Sequence, residues 1–148
     1  MTLPQQKFRE IVLLLLYSHD FSQSEEEDSS ALVMQELKVS KKYLFQAQEM
    51  RRAIESKNEE LDQLIKETAT SYEFERIPRI ERNILRLGAY ELLYSPQIPG
   101  KVAISEAMRL SRKFASPESS TFVNAVLDAI YQRGQDVVGA VLEGQTSQ

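Results

Sequence analysis

The sequence predicts an all-α fold of six or seven helices, and three observations lead there. Apolar residues recur at three- and four-residue steps through most of the 148-residue chain, the period of a helix with one buried face. Strand-like alternation never runs for more than a few residues and no glycine-rich phosphate loop is present, which argues against nucleotide-binding sheet folds. Proline and glycine fall between the periodic stretches, where helices start and stop. The length suits one domain with a real core and no need of disulfide or metal staples.

Pro4 precedes the first helix, in which Phe8, Val12, Leu15 and His19 share a face. Ile11–Leu16 is apolar on every side, so this helix belongs at the centre of the core. It ends before the polar loop Ser22–Ser30, whose acidic run Glu25–Asp28 reads as a solvated connection. Ala31–Leu37 suits a short helix. Ser40 is placed to cap a long helical region reaching about Thr70, with Leu44, Ala47 and Ile54, then Leu61, Leu64 and Ile65, as its apolar positions. Glu55–Glu60 is wholly polar, so the helix either breaks there or is exposed.

Pro78 fits the first turn of a fresh helix, marked by Ile77, Ile80, Ile84, Leu87 and Gly88 and running to about Tyr94. Glycine inside a helix costs about 1 kcal/mol relative to alanine, so close packing against a neighbouring helix is expected at Gly88. Ser95–Gly100 is a turn, and Ala103, Ala107, Leu110 and Phe114 line the next helix. Ser116, Pro117 and Glu118 read as N-cap, N1 and N2 of another, with Glu118 against its positive end. Phe122, Val126 and Ile130, flanked by Val123 and Leu127, form its buried stripe. Gly134 is expected to stop or kink it, Val137–Leu142 to add a last turn, and Glu143–Gln148 to be disordered.

Composition narrows the function. With 42% hydrophobic and 27% charged residues the chain has the balance of a soluble globular protein. It has no cysteine and a single histidine, His19, which excludes disulfide frameworks, thiol nucleophiles and clustered zinc or copper ligands. No spaced acidic loop with a central glycine suggests calcium. Nucleophilic catalysis needs a base and a group that orients it, and His19 has no such partners nearby in sequence, so it reads as a packing or surface residue. No enzyme activity, cofactor or small-molecule substrate is indicated. The longest apolar run, Ile11–Tyr17, is far short of the roughly 20 residues of a membrane span. Behind Lys7 and Arg9 it resembles a weak signal peptide, but Glu10 interrupts the basic part and no cleavage site follows. Cytoplasm is the expected location.

The net charge of −4 is unevenly spread. From Arg76 to Lys113 eight basic residues face Glu81, Glu91 and Glu106, giving +5 against −9 for the remainder. Such a stretch can attract phosphates, but on charge alone ordinary variation among helix surfaces is the favoured reading. Arg79, Arg82 and Arg86 lie along one side of their helix. Lys101 opens the next, and Arg109, Arg112 and Lys113 crowd its end, where cations also suit the helix dipole. Tyr17 and Phe122 are candidates for base stacking, although aromatics at helical spacing also serve as core.

Three blocks carry a family resemblance. Glu81-Arg82-Asn83-Ile84-Leu85-Arg86-Leu87-Gly88-Ala89-Tyr90-Glu91-Leu92 closely resembles the signature of the NusB antitermination factors. Ile98–Ala107 resembles the next block, continued by Lys113-Phe114. Phe122–Asp128 resembles the third, with Ala125 where glycine is usual. Arg9-Glu10 through Leu16-Tyr17-Ser18 also fits, so the resemblance spans essentially the whole chain in order.

The resemblance implies two packed helical bundles within one domain, residues 1–72 and 76–142, with 143–148 as a tail. It implies pairing with NusE, a small-subunit ribosomal protein, binding of boxA RNA in ribosomal RNA leaders, and action within the RNA polymerase antitermination complex. By position it assigns Lys7, Arg9, Lys101, Glu118, Ser119, Ser120 and Phe122 to RNA, and Tyr17, Glu81, Arg82 and Arg86 to the partner. Many relatives begin with a run of arginines, whereas this chain opens Met1-Thr2-Leu3-Pro4-Gln5-Gln6. Fewer phosphate contacts imply weak RNA binding by the chain alone. A helical scaffold without an RNA role, and the RNA-binding appendage of a ribosomal RNA methyltransferase, are the competing readings.

Overall fold

The computed structural model describes the backbone of residues 5–22 and 40–146 and the side chains of residues 5–20 and 40–134. The short helix expected over Ala31–Leu37 and the acidic run Glu25–Asp28 lie outside the described residues. Six α-helices are described: α1 (Gln5–Ser22), α2 (Lys41–Glu55), α3 (Asn58–Thr68), α4 (Arg79–Tyr94), α5 (Gly100–Phe114) and α6 (Pro117–Thr146). A 3₁₀ turn, Phe74–Arg76, links α3 to α4. No strand occurs among the described residues.

The all-round apolar run of α1 does what its sequence requires. Ile11, Val12, Leu13, Leu15 and Leu16 are buried, each worth about 1.5–3 kcal/mol of apolar burial, and α1 packs on both α2 and α4. Ser40 caps α2, its Oγ accepting the Tyr43 N–H at 3.5 Å. The long helical region breaks where the apolar pattern lapses: Ser56 closes α2 through its N–H to the Arg52 carbonyl, and α3 restarts at Asn58 with Glu59 and Glu60 in its first turn.

Helix α4 is the hub, touching α1, α2, α3, α5 and α6. Eight of its residues are buried, among them the polar Asn83, Arg86 and Glu91. A continuous core joins the two halves of the chain through Ile84, Leu85 and Leu87. Gly88 is the point of close approach: a Cβ there would lie 2.6 Å from Leu127 Cδ1 and 3.5 Å from Ala107 Cβ. The packing expected at this glycine is present.

The end of α6 differs from expectation. Backbone helix passes through Gly134 and on to Thr146, so Gly134 neither stops it nor separates off Val137–Leu142, and the last turns enter the stretch expected to be disordered. A Cβ at Gly134 would meet nothing within 4 Å, so this glycine answers no packing demand, and its cost of about 1 kcal/mol is too small to end a helix.

Gly88→Val is expected to cost about 2–3 kcal/mol in urea unfolding, because a branched side chain has no room against buried Leu127. Gly88→Ala should cost less, since only the end of Leu127 must shift and helix propensity offsets part of the strain. A Gly88→Val protein as stable as the parent would contradict this packing.

Candidate nucleic-acid and partner interface

The start of α6 is built by three serines. Ser116 Oγ accepts the Ser119 N–H at 3.1 Å, the bond of an N-cap. Ser119 Oγ donates to the Ser116 carbonyl at 3.2 Å, and Ser120 Oγ to the Pro117 carbonyl at 2.7 Å. Both hydroxyls are buried and shape the helix start; of the two residues, both expected at an RNA surface, Ser119 also borders the cleft beside Phe122. What they present outward is Glu118, exposed, and Phe122, half-buried.

Phe122 stands edge-on to Tyr72, with ring centroids 5.0 Å apart and planes at 78°. The two rings border a cleft of about 260 Å³ between the 3₁₀ turn, the first turn of α4 and the first turns of α6. Arg76, Glu81, Glu118 and Ser119 supply its polar wall. An open aromatic cleft with a nearby guanidinium can stack an unpaired base and hold its phosphate. Glu81, assigned by resemblance to the partner, thus shares one cleft with Phe122 and Glu118, assigned to RNA. Tyr72 was not singled out from sequence, and Arg76 entered only as the first cation of the basic stretch. The available signal was a lone aromatic in the polar connection Thr70–Glu73; in the structure it is 59% exposed.

The basic residues divide sharply. Arg9 is only 6% exposed and Glu91 3%. Arg9 Nε donates to both Glu91 oxygens at 3.1 Å and Nη2 donates to Oε2 at 3.0 Å. This guanidinium is a core ion pair, not the surface phosphate contact expected of it. Arg86 is buried too: Nε and Nη2 grip Asp62 at 2.7 and 2.9 Å, and Nη1 reaches Asn83 Oδ1 at 3.2 Å. It clamps α3 to α4, and a partner could reach only its rim. Arg82 is half-buried, its guanidinium 5.4 Å from the Phe74 ring centre.

Lys113 and Arg109 both bind Glu10 of α1, Arg109 at 3.4 Å. Arg109 also donates to Glu106 at 2.8 Å. Three cations of the +5 stretch, Arg86, Arg109 and Lys113, are therefore paired with acids from other parts of the chain. Among the described residues Lys101 and Arg112 are exposed and make no ion pair, and Lys7 is half-buried on α1. Tyr17 is half-buried near the C-terminal end of α1 and has interactions of its own. No group of three or more His, Cys, Asp or Glu among the described residues is placed to hold a metal ion. No helix among them is long and apolar enough to cross a membrane.

An all-α domain wrapped around one central helix, with an open aromatic cleft where two helices begin, is the class defined by this fold and site. The chain belongs to the NusB family, whose model matches residues 6–132. The transcription antitermination protein NusB of Chlamydia pneumoniae is 38% identical over 128 residues, 86% of this chain and 80% of that one. The corresponding protein of Nitratiruptor sp. is 36% identical over 122 residues, 82% and 87% of the two chains. Among solved structures, T. maritima NusB matches with a TM-score of 0.78 at 30% identity, covering 89% of this chain and 93% of that one. A chain from the crystal structure of the antitermination factors NusB and NusE in complex with dsRNA matches with a TM-score of 0.75 at 26% identity, covering 87% and 96%.

Burial raises the Glu81 carboxyl above its ordinary value, and a hydrogen bond with the Ser119 side chain offsets this only in part. The folded state holds that proton more tightly than the unfolded chain, so ionising Glu81 costs stability. The cost is absent below the unfolded-state value of about 4.3, grows as pH rises through the folded-state value, and is fully present at neutral pH. Glu81→Gln should therefore raise stability at pH 7, by less than about 1 kcal/mol because water screens a partly buried group. It should leave thermal melts at pH 3 unchanged. A variant less stable than the parent at pH 7 would place Glu81 elsewhere.

Proposed function

We propose that this chain is a transcription antitermination factor that pairs with NusE and, with it, binds boxA-type RNA in ribosomal RNA leader transcripts as part of the RNA polymerase antitermination complex in the cytoplasm. Family membership over residues 6–132 carries the reading. The aromatic cleft supports it, because Phe122 and Tyr72 offer stacking faces beside Arg76. In this reading Lys7, Lys101, Arg112, Glu118, Phe122, Tyr72 and Arg76 form the RNA side. Tyr17, Glu81 and Arg82 face the protein partner, with Glu81 where the two sides meet. Arg9 and Arg86 hold the scaffold.

One observation favours a shared grip on RNA. With Arg9 locked inside, Lys7 is the only other cation among the first nine residues, and Lys101 and Arg112 are the exposed cations without ion pairs on α5. Each phosphate contact on a single strand contributes a salt slope of about −0.7, so four contacts from Lys7, Arg76, Lys101 and Arg112 reach only about −3. The scaffold reading, in which RNA plays no part, differs in predicting no RNA capture even by the pair.

Salt titrations of boxA RNA binding, with and without NusE, test the proposal. The isolated chain should bind weakly with a slope no steeper than about −3, and the pair should bind tightly. Phe122→Ala should weaken binding by the pair roughly five- to a hundredfold, the loss of one base–aromatic stack, with circular dichroism confirming the fold. Tight, steep binding by the isolated chain, or unchanged binding by the Phe122→Ala pair, would overturn it.

A further inference from the structure

A second cleft, of about 240 Å³, lies where the first turns of α1 meet the middle of α2 and the end of α4. Val12, Leu87, Ser95 and the Arg9–Glu91 pair are its buried residues, and half-buried Phe8, Met50 and Ile98 line its sides. Apolar walls with a few convergent polar groups are the usual form of a small-molecule site. An apolar cavity of about 150 Å³ accommodates benzene, and drug-sized ligands take roughly 300–1,000 Å³. The space here lies between the two and suits one ring with one small substituent.

The unused hydrogen-bonding groups are donors. Ser95 is 6% exposed. Its backbone N–H donates to the Glu91 carbonyl at 3.2 Å and its carbonyl accepts the Ile98 N–H at 2.9 Å, but its hydroxyl has no partner among the described residues. Arg9 spends Nε and Nη2 on Glu91, and its Nη1 is likewise without a partner. Neither atom is sealed in, since the sealed and unsatisfied side-chain atoms among the described residues are Asn58 Oδ1 and Arg82 Nε. Ser95 Oγ and Arg9 Nη1 therefore keep access to solvent, and the residues that carry them line the cleft. Arg9 and Glu91 are its charged lining residues, and they cancel. Glu106, the next acid near Arg9, is held by Arg109 and Gln6. A charged ligand would thus bring a buried charge with no counter-ion, which is costly.

We propose that this cleft binds a small uncharged compound of one ring bearing a carbonyl group. The ring lies among Phe8, Met50 and Ile98, where a methionine thioether favours an aromatic edge, and the carbonyl oxygen accepts from Ser95 Oγ and Arg9 Nη1. The site adjoins the ion pair that joins α1 to α4, so a bound ligand stabilises the folded chain by mass action. The inference is independent of the RNA and partner reading.

Benzamide, benzoate and benzamidine share one outline and differ in charge and in what the substituent offers. Each should be titrated into the full chain while the methyl groups of Val12, Met50, Leu87 and Ile98 are followed by NMR. Benzamide should shift these methyls saturably, give ring-to-methyl NOEs at Met50 and Ile98, and raise the melting temperature. Benzoate and benzamidine should bind at least about tenfold more weakly, because each buries a charge. Ser95→Ala removes the hydroxyl and breaks no hydrogen bond. It should weaken benzamide about fivefold, as for one hydrogen bond, with circular dichroism confirming the fold. Equal affinity for the three compounds, or tightest binding of benzoate, overturns the proposal, as does unchanged benzamide affinity in Ser95→Ala. A benzamide titration without saturable shifts at these methyls overturns it with no variant needed.

Discussion

Two adjacent residues of opposite charge set the position of α1, and the rest of the molecule follows from that position. Arg9 reaches inward to Glu91 near the end of α4, 82 residues away in sequence, while Glu10 reaches Arg109 and Lys113 on α5. Neighbouring helical residues point about 100° apart, so two such contacts fix both the rotation and the height of α1. Its apolar run is hydrophobic on all sides and by itself would pack equally well in several rotations. A buried ion pair is weak evidence of net stability, because desolvation offsets much of the attraction. Its contribution here is orientation: a slip of α1 by one residue would leave the Glu91 carboxylate buried without a counter-ion.

The same economy of charge decides which surface is open to ligands. Arg86 and Arg109 belong to the most basic part of the sequence, yet each closes a contact between helices. The cleft at the start of α6 is aromatic with a guanidinium at its edge, and Glu81 of α4 forms part of its wall, so the helix that organises the core also shapes this surface.

Where local chemistry decides, the sequence was readable. Serine at positions 40 and 116 marks helix starts because a hydroxyl satisfies an otherwise unpaired N–H, and Gly88 marks a crossing because a Cβ there would press on the end of Leu127. The polar stretch Glu55–Glu60 shows where one helix becomes two. The roles of Arg9 and Arg86 were hidden because an arginine on a helix looks alike whether it meets phosphate or a distant carboxylate; only the fold supplies Glu91 and Asp62. The backbone bonds of Ser119 and Ser120 were hidden for a related reason, since a first-turn serine can face a ligand or its own backbone. Tyr72 escaped notice because it belongs to no periodic stretch, and the 3₁₀ turn beside it is too short to show a period.

The account stands most directly on the Arg9–Glu91 pair, and a double-mutant cycle in urea measures it. Arg9→Met and Glu91→Met should each cost about 3–5 kcal/mol, because each leaves the other charge buried alone. The double variant should cost no more than either single change, giving a coupling energy of several kcal/mol. Single losses below about 1 kcal/mol that simply add in the double variant would show that Arg9 lies in solvent and that α1 is oriented by its apolar residues alone.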